Sequence, residues 1–231
     1  MDDRQKKLLK VIVEEYISSA TPVGSGIIAE KYFSDLSSAT IRNDMAELEE
    51  IGYISQPHTS AGRIPTLAGY GFYLENFVAS GEINSKHRKV IEETLRSIGK
   101  DEEGIKTLAK TLAELSGGVI LVGFSPINVY YTGISNLFRQ PEFQHNNLMF
   151  SMSEIIDHLD EVMAMVFNSV NEQVMVLIGE DSPFGEFSSV VIVKYEFSGQ
   201  VGLIGILGPN RMNYRQNMGL IQLSQELLKN I

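Results

Sequence analysis

Leu8, Leu9, Ile12, Val13, Tyr16 and Ile17 recur at three- and four-residue intervals, which predicts an amphipathic helix over residues 4–19. Thr21, Pro22, Val23 and Gly24 break it. Ser25 can cap a short second helix from Gly26 to Phe33, and Ser34 to Ser37 reads as a turn. Ser37 or Ser38 then caps a third helix that runs through Glu50 and stops at Gly52. Tyr53 to Gln56, the loop HTSAGR and Ile64–Pro65 form a short hairpin with small and polar residues at its tip. Thr66 caps a fourth helix, whose apolar surface comes from Leu67, Tyr70, Phe72, Tyr73, Phe77 and Val78.

Two more helices are expected over 81–116, split near Ser97 to Asp101. Beyond them the pattern changes to short apolar runs at 117–124, 129–134, 173–179, 188–197 and 200–207, which predict five strands. The last two are joined by Ser198-Gly199, a tight hairpin signal. A helix from Met152 to Val170 separates the second and third strands, and another runs from about Met212 to Lys229. Mostly antiparallel strands with helices in blocks indicate an α+β fold rather than a doubly wound sheet. The chain therefore divides into a helical part with a hairpin, 1–80, a helical linker, 81–116, and an α+β domain, 117–231.

Composition narrows the chemistry. There are no cysteines, which excludes thiolate nucleophiles and thiolate metal sites. The start MDDRQKKLLK is too charged for a signal peptide, and no apolar run approaches the ~20 residues that span a bilayer, so a cytoplasmic location is expected. No Gly-x-Ser-x-Gly elbow, HExxH pair or phosphate-binding loop is present. Asp157, His158, Asp160 and Glu161 cluster on one predicted helix, but Ile155, Ile156, Leu159, Val162 and Met163 define its buried side, so the cluster reads as a solvated face. No catalytic residue, metal or cofactor is expected, and the chain does not read as an enzyme. The net charge of −10 and pI near 4.9, taken alone, argue against a nucleic-acid partner.

The third helix argues the other way. With Ile41, Met45 and Leu48 on the core side, Ala39, Asn43 and Ala46 point directly away, flanked by Thr40 and Glu47 on one side and Arg42 on the other. Small residues permit close approach to a groove, while Asn, Arg and Thr can hydrogen-bond base edges or phosphates. All lie early in the helix, the part that a recognition helix presents to base edges. Judged on this face alone, an ordinary surface helix with two alanines is the favoured reading. The hairpin that follows shifts the balance. Gln56 to Arg63 is a polar, small-residue loop just after a helix-turn-helix, the place of a wing that lies along a duplex. Thr59 and Ser60 offer hydroxyls there, and Arg63 can reach phosphate or a narrow minor groove.

The run ATIRNDMAELEEIGYISQPHTSAGRIPT, with EEYISSATPVGS before it and GYGFYLE after it, resembles the winged-helix signature of the HrcA family of heat-inducible transcription repressors. The likeness continues in TGISNLFRQPEF (132–143), in VLIGED and in LGPNRMNYRQNMGLIQLSQELL, which are similar to that family's GAF-like domain and terminal helix. The resemblance implies a winged helix-turn-helix DNA-binding domain over 1–80 and a GAF-like domain over 117–231. It implies a repressor of chaperone operons that binds, as a homodimer, the inverted-repeat operator called CIRCE, with the GroE chaperonin promoting its active form and heat stress relieving repression. It places DNA contacts on Ser38, Thr40, Arg42 and Asn43 of the helix and on His58, Thr59, Ser60 and Arg63 of the wing.

Departures from the family's pattern bear on affinity and assembly. Gly26 and Gly71 stand where members commonly carry Arg, and Ser38 where they tend to carry Pro. The family's inserted dimerisation domain is missing, because FSPIN (124–128) bridges the first strand of the GAF-like domain directly to VYYTG. The chain is thus expected to be a compact member whose dimer contact lies elsewhere. The aromatic helix at 66–80 and the linker helices are favoured, with packing of Tyr70, Phe72, Tyr73 and Phe77 inside the core as the alternative. Residues 1–75 hold 7 Lys/Arg against 11 Asp/Glu, with the acids late in helices one and three and Arg42 and Arg63 on the side that would face DNA. Local arrangement rather than total charge then decides whether a phosphate meets a cation. Two other readings remain at this stage: a winged-helix regulator whose GAF-like domain senses a small molecule, and a chaperonin-interacting protein with weakened DNA binding.

Overall fold

Asp2 opens the first helix with a reciprocal cap. Its carboxylate accepts the Gln5 N–H at 2.8 Å, and the Gln5 side chain accepts the Asp2 N–H at 3.0 Å. In this computed structural model, which describes residues 1–78, 80–144 and 146–230, helix α1 (Asp3–Ser19) buries Leu8, Leu9, Ile12 and Val13 completely. The described residues fall into two compact units, Met1–Ala79 and Ser80–Ile231.

The first unit continues with α2 (Ser25–Tyr32), α3 (Ser38–Glu50), strands β1 (Ile54–Ser55) and β2 (Ile64–Pro65), and α4 (Leu67–Phe77). The strands pair antiparallel, with Ile54 opposite Pro65 and Ser55 opposite Ile64. Ser37 caps α3 by accepting the Thr40 N–H at 3.1 Å, and Thr66 caps α4 by accepting that of Gly69 at 3.2 Å. Ser25 is not a cap. It is the first residue inside α2, behind Gly24, and its hydroxyl lies 3.1 Å from that of Ser38. The aromatic face of α4 is directed inward. Tyr70 and Tyr73 are buried, and the Phe72 ring packs 5.3 Å from that of Tyr53. The expectation that this face is open to a second copy is corrected for both tyrosines: they lie in the core, because α4 closes over α1. The apolar pattern also hides a charge in that core. Asp44, on the inner side of α3, is buried; its Oδ1 accepts a hydrogen bond from Arg4 Nη2 at 2.9 Å, and its Oδ2 lies in ion-pair contact 2.8 Å from Arg4 Nε.

The second unit opens with α5 (Ser85–Ser97) and α6 (Glu102–Ser116). It is built on a five-stranded antiparallel sheet of β3 (Val119–Ser125), β4 (Asn128–Thr132), β5 (Met175–Ile178), β6 (Ser188–Phe197) and β7 (Gln200–Pro209), in the order β4-β3-β7-β6-β5. Pro126 and Ile127 alone join β3 to β4. Ser198 and Gly199 join β6 to β7 with φ of 52° and 76°, the positive pair that suits the twist of a two-residue hairpin. Alternate residues Leu121, Val190, Ile192 and Leu203 pack against Phe143, Met152, Leu159 and Met163. The intervening Val122, Val191, Val193 and Ile204 are also fully buried, with α6 and α10 (Tyr214–Lys229) packed on the sheet. Cover on both faces explains why these strands read as continuous apolar runs instead of alternating ones.

The predicted helix Met152–Val170 is two helices, α8 (Asn146–Asp157) and α9 (Leu159–Ser169), preceded by the short α7 (Ile134–Phe138). The chain breaks at His158, whose backbone leaves the helical region at φ −110° and ψ 24°. Asp157 and His158 therefore stand at the junction, and His158 Nδ1 lies 3.7 Å from the Glu161 carboxylate. His145 lies outside the described residues.

One buried polar knot ties β6 to the start of α10. The Tyr214 hydroxyl donates to the Asn210 carbonyl at 2.5 Å and lies 3.0 Å from Ser189 Oγ, which donates to Asn210 Oδ1 at 2.8 Å. Tyr214→Phe is expected to lower stability by about 1–2 kcal/mol, because it strands these buried partners without changing the packing volume. A urea midpoint equal to that of the unchanged protein would show that the hydroxyl contributes nothing.

Candidate nucleic-acid interface

Helices α2 and α3 meet at their N-termini through the Ser25–Ser38 hydroxyl contact, so the start of α3 is held in a fixed place. The Thr40 hydroxyl lies 2.9 Å from that of Ser37. Ser38 and Thr40 are thus half-buried and engaged within the protein. Past them, Ala39, Arg42, Asn43 and Ala46 are all exposed on one face. Neither Arg42 nor Asn43 makes an ion pair or side-chain hydrogen bond with the described residues. This is the face that helical periodicity assigned to the outside.

The hairpin is braced from within. The Gln56 amide donates to the carbonyls of Thr59 at 3.1 Å and Ala61 at 2.9 Å, and the Ala61 N–H donates to the His58 carbonyl at 2.8 Å. His58, Thr59 and Ser60 are exposed at the tip, with Ser60 Oγ 3.4 Å from His58 Nδ1. The returning strand is then fastened to the segment before α2. Val23 N–H donates to the Arg63 carbonyl at 2.8 Å, and Arg63 N–H donates to the Val23 carbonyl at 2.9 Å. Gly62 lies so close to this segment that a Cβ would fall 2.4 Å from the Val23 carbonyl group.

Arg63 does not point outward. Its side chain is 17% exposed, and Nη2 lies 2.8 Å from Oε2 of Glu49 on α3. The freely displayed cation expected at this position is instead in an ion pair between the hairpin and α3. Sequence reasoning had no access to Glu49, Val23 or Gln56 as partners. The one signal was Gly62, a small residue where backbones approach.

Between α2, α3 and the hairpin lies an open groove of about 420 Å³. Gly24, Ser25, Arg42, Met45, Gln56, Thr59, Ser60 and Arg63 are among the residues that line it, and none of the lining residues is acidic. The groove brings Arg42 of the helix together with Thr59, Ser60 and Arg63 of the hairpin. Ser38, Thr40, Asn43 and His58 are not among its lining residues, and of these Asn43 and His58 are open to solvent beside it. Three of the four acids of α3 have partners within the protein, Asp44 with Arg4, Glu49 with Arg63 and Glu47 with Gln5 at 2.6 Å, and the fourth, Glu50, is exposed outside the groove lining. A chain of net charge −10 thus presents an acid-free groove with two guanidinium groups.

Tyr195 lines cavities of about 260 and 290 Å³ in the second unit. Burial pushes the Tyr195 hydroxyl well above the ordinary phenol range, with Glu102 adding to the shift. The smaller cavity holds Lys194 and Lys229 beside Glu172, Glu196 and Glu226, so its charges are mixed.

The family model for the HrcA protein C terminal domain matches residues 72–218. This chain belongs to the HrcA family. It is 27% identical to the heat-inducible transcription repressor HrcA of Carboxydothermus hydrogenoformans, in an alignment that covers 100% of this chain and 98% of that protein. It is 48% identical over 117 residues to the HrcA repressor of Desulfitobacterium hafniense, which covers 50% of this chain and 34% of that protein. The alignment with the C. hydrogenoformans repressor runs over 335 positions, whereas this chain has 231 residues. The relative therefore carries roughly a hundred residues with no counterpart here, consistent with a compact HrcA member. A crystal structure described only as that of a hypothetical protein has the same fold, with a TM-score of 0.74 and 21% identity over 100% of this chain and 98% of that one. No helix of the described residues is long and apolar enough to cross a membrane.

Proposed function

We propose that this chain is a DNA-binding repressor of heat-shock chaperone genes, and that its first unit is a winged helix-turn-helix whose helix α3 enters the major groove of an inverted-repeat operator. The observation that carries this reading is the exposed face of α3. Arg42 and Asn43 stand there unengaged between two alanines, beside an acid-free groove closed by the hairpin. Thr59, Ser60 and His58 at the hairpin tip are then the wing contacts to the sugar–phosphate backbone. The names of the curated HrcA relatives support the repressor role. The second unit is the GAF-like domain of this reading, and GroE chaperonin is the partner that favours the binding-competent form.

An inverted repeat presents two half-sites related by a two-fold axis, so a pair of identical chains is its natural reader. Cations are scarce on the DNA side. Gly26 and Gly71 have open space around the position of a Cβ, so the arginines common in the family are missing by residue choice and not by crowding. Each missing phosphate contact removes about one unit of salt slope, which predicts modest affinity and weak non-specific binding. A gel shift with the inverted-repeat duplex and a scrambled duplex, each at two salt concentrations, tests the proposal, with light scattering to give the mass. Preferential retardation of the inverted repeat is expected, by a species of about twice 25.7 kDa. Equal affinity for both duplexes would remove the sequence-specific reading. A mass near 25.7 kDa both free and on a half-site, with one chain per full operator, would remove the dimer.

A further inference from the structure

The two ends of the hairpin are held in different ways. Its tip carries exposed side chains with no partner outside the loop among the described residues, braced by the Gln56 amide. Its base is fixed at three points that meet at one residue. The Arg63 N–H and carbonyl bond to Val23 ahead of α2, and the Arg63 guanidinium forms an ion pair with Glu49 near the end of α3. Arg63 thus joins the hairpin both to the segment before α2 and to α3. Its side chain is largely covered, and Glu49 already neutralises its charge. A phosphate contact would have to compete with that carboxylate, and burial strengthens the existing pair relative to one in open water.

We infer that Arg63 is a positioning residue, not a phosphate contact: through Glu49 it sets the angle between the wing and α3, and so the distance between the two DNA-reading elements. The inference rests on the DNA-binding reading above. It predicts that removing the Glu49 charge weakens operator binding, although deleting an acid beside a duplex ordinarily strengthens it.

The test compares Glu49→Gln with Glu50→Gln in the full chain. Glu50 is exposed, is next in sequence and makes no ion pair with the described residues, so it controls for the charge change alone. Glu49→Gln is expected to bind the inverted-repeat duplex about fivefold more weakly than Glu50→Gln, the scale of a partly covered ion pair. In the free protein, amide exchange at Val23 and Arg63 is expected to speed up in Glu49→Gln and not in Glu50→Gln. The slope of log affinity against log salt for Arg63→Ala is expected to match that of the unchanged protein; a fall of about one unit would identify a phosphate contact and overturn the inference. Equal or tighter binding by Glu49→Gln would overturn it too, as would unchanged exchange at Val23 and Arg63. If the unchanged protein binds neither duplex, the repressor reading fails while the exchange experiment still decides whether Glu49 and Arg63 hold the wing.

Discussion

Gly62→Ala is expected to loosen the hairpin from the segment before α2 and, on the proposed function, to reduce operator affinity about tenfold or more. The cause is local and steric. The new Cβ would lie 2.4 Å from both the carbonyl carbon and the oxygen of Val23 and 2.8 Å from the carbonyl carbon of Pro22. These are backbone atoms, so no side-chain rotation can relieve the contact. The strand edge has to move, and the bond pair at 2.8 and 2.9 Å between Val23 and Arg63 has to lengthen or break. Two backbone hydrogen bonds at about 0.5–1.5 kcal/mol each put the loss near 1–3 kcal/mol. Every 1.4 kcal/mol that falls on the bound geometry is tenfold in affinity. The wing would carry Thr59 and Ser60 away from Arg42 while the helices, whose cores lie elsewhere, keep their packing. Far-ultraviolet circular dichroism should therefore change little while gel-shift affinity drops. A variant that melts and binds like the parent would show that the hairpin does not depend on this contact.

The elements with local signals were legible. Thr66 and Ser37 cap the helices they were expected to cap, Ser198-Gly199 makes the predicted hairpin, and five apolar runs became five antiparallel strands. These depend on residues within one or two turns of each other, which is the range over which a pattern carries information. What failed depends on partners far along the chain. The aromatic face of α4 was legible as apolar, but periodicity does not say whether such a face meets α1 or a second copy. Asp44 sits on the buried side of α3 only because Arg4, forty residues earlier, reaches it. Arg63 was legible as a cation on a small polar loop, and its pairing with Glu49 was not. The single long helix expected at 152–170 failed for a different reason. Its apolar spacing continues smoothly across His158, while the backbone there does not.

The same distinction resolves the charge of the chain. Net charge governs solubility and long-range steering, whereas contact is governed by the few charges that face the partner. In the first unit three of the four carboxylates of α3 are engaged within the protein, by Arg4, Gln5 and Arg63, and Glu50 at its end is exposed. That leaves Arg42 as the one groove-lining guanidinium with no ion pair among the described residues. On the proposed DNA-binding function, so few free cations require selectivity to come from hydrogen bonds to base edges.

Asn43→Ala tests that consequence most directly. Asn43 is exposed in the first half of α3, between Ala39 and Ala46, and its amide has no partner among the described residues. An amide offers a donor and an acceptor side by side, the arrangement that matches the N6 and N7 edge of adenine. Loss of one such pair is expected to cost about 1–3 kcal/mol against the inverted repeat, or roughly five- to hundredfold in affinity. Asparagine carries no charge, so binding to scrambled duplex and the salt slope should both stay as they were. Arg42→Ala makes the contrast. It removes a cation, so it should weaken both duplexes and lower the slope by about one unit. If Asn43→Ala binds the inverted repeat as tightly as the parent, or weakens both duplexes equally, α3 is not the element that reads sequence.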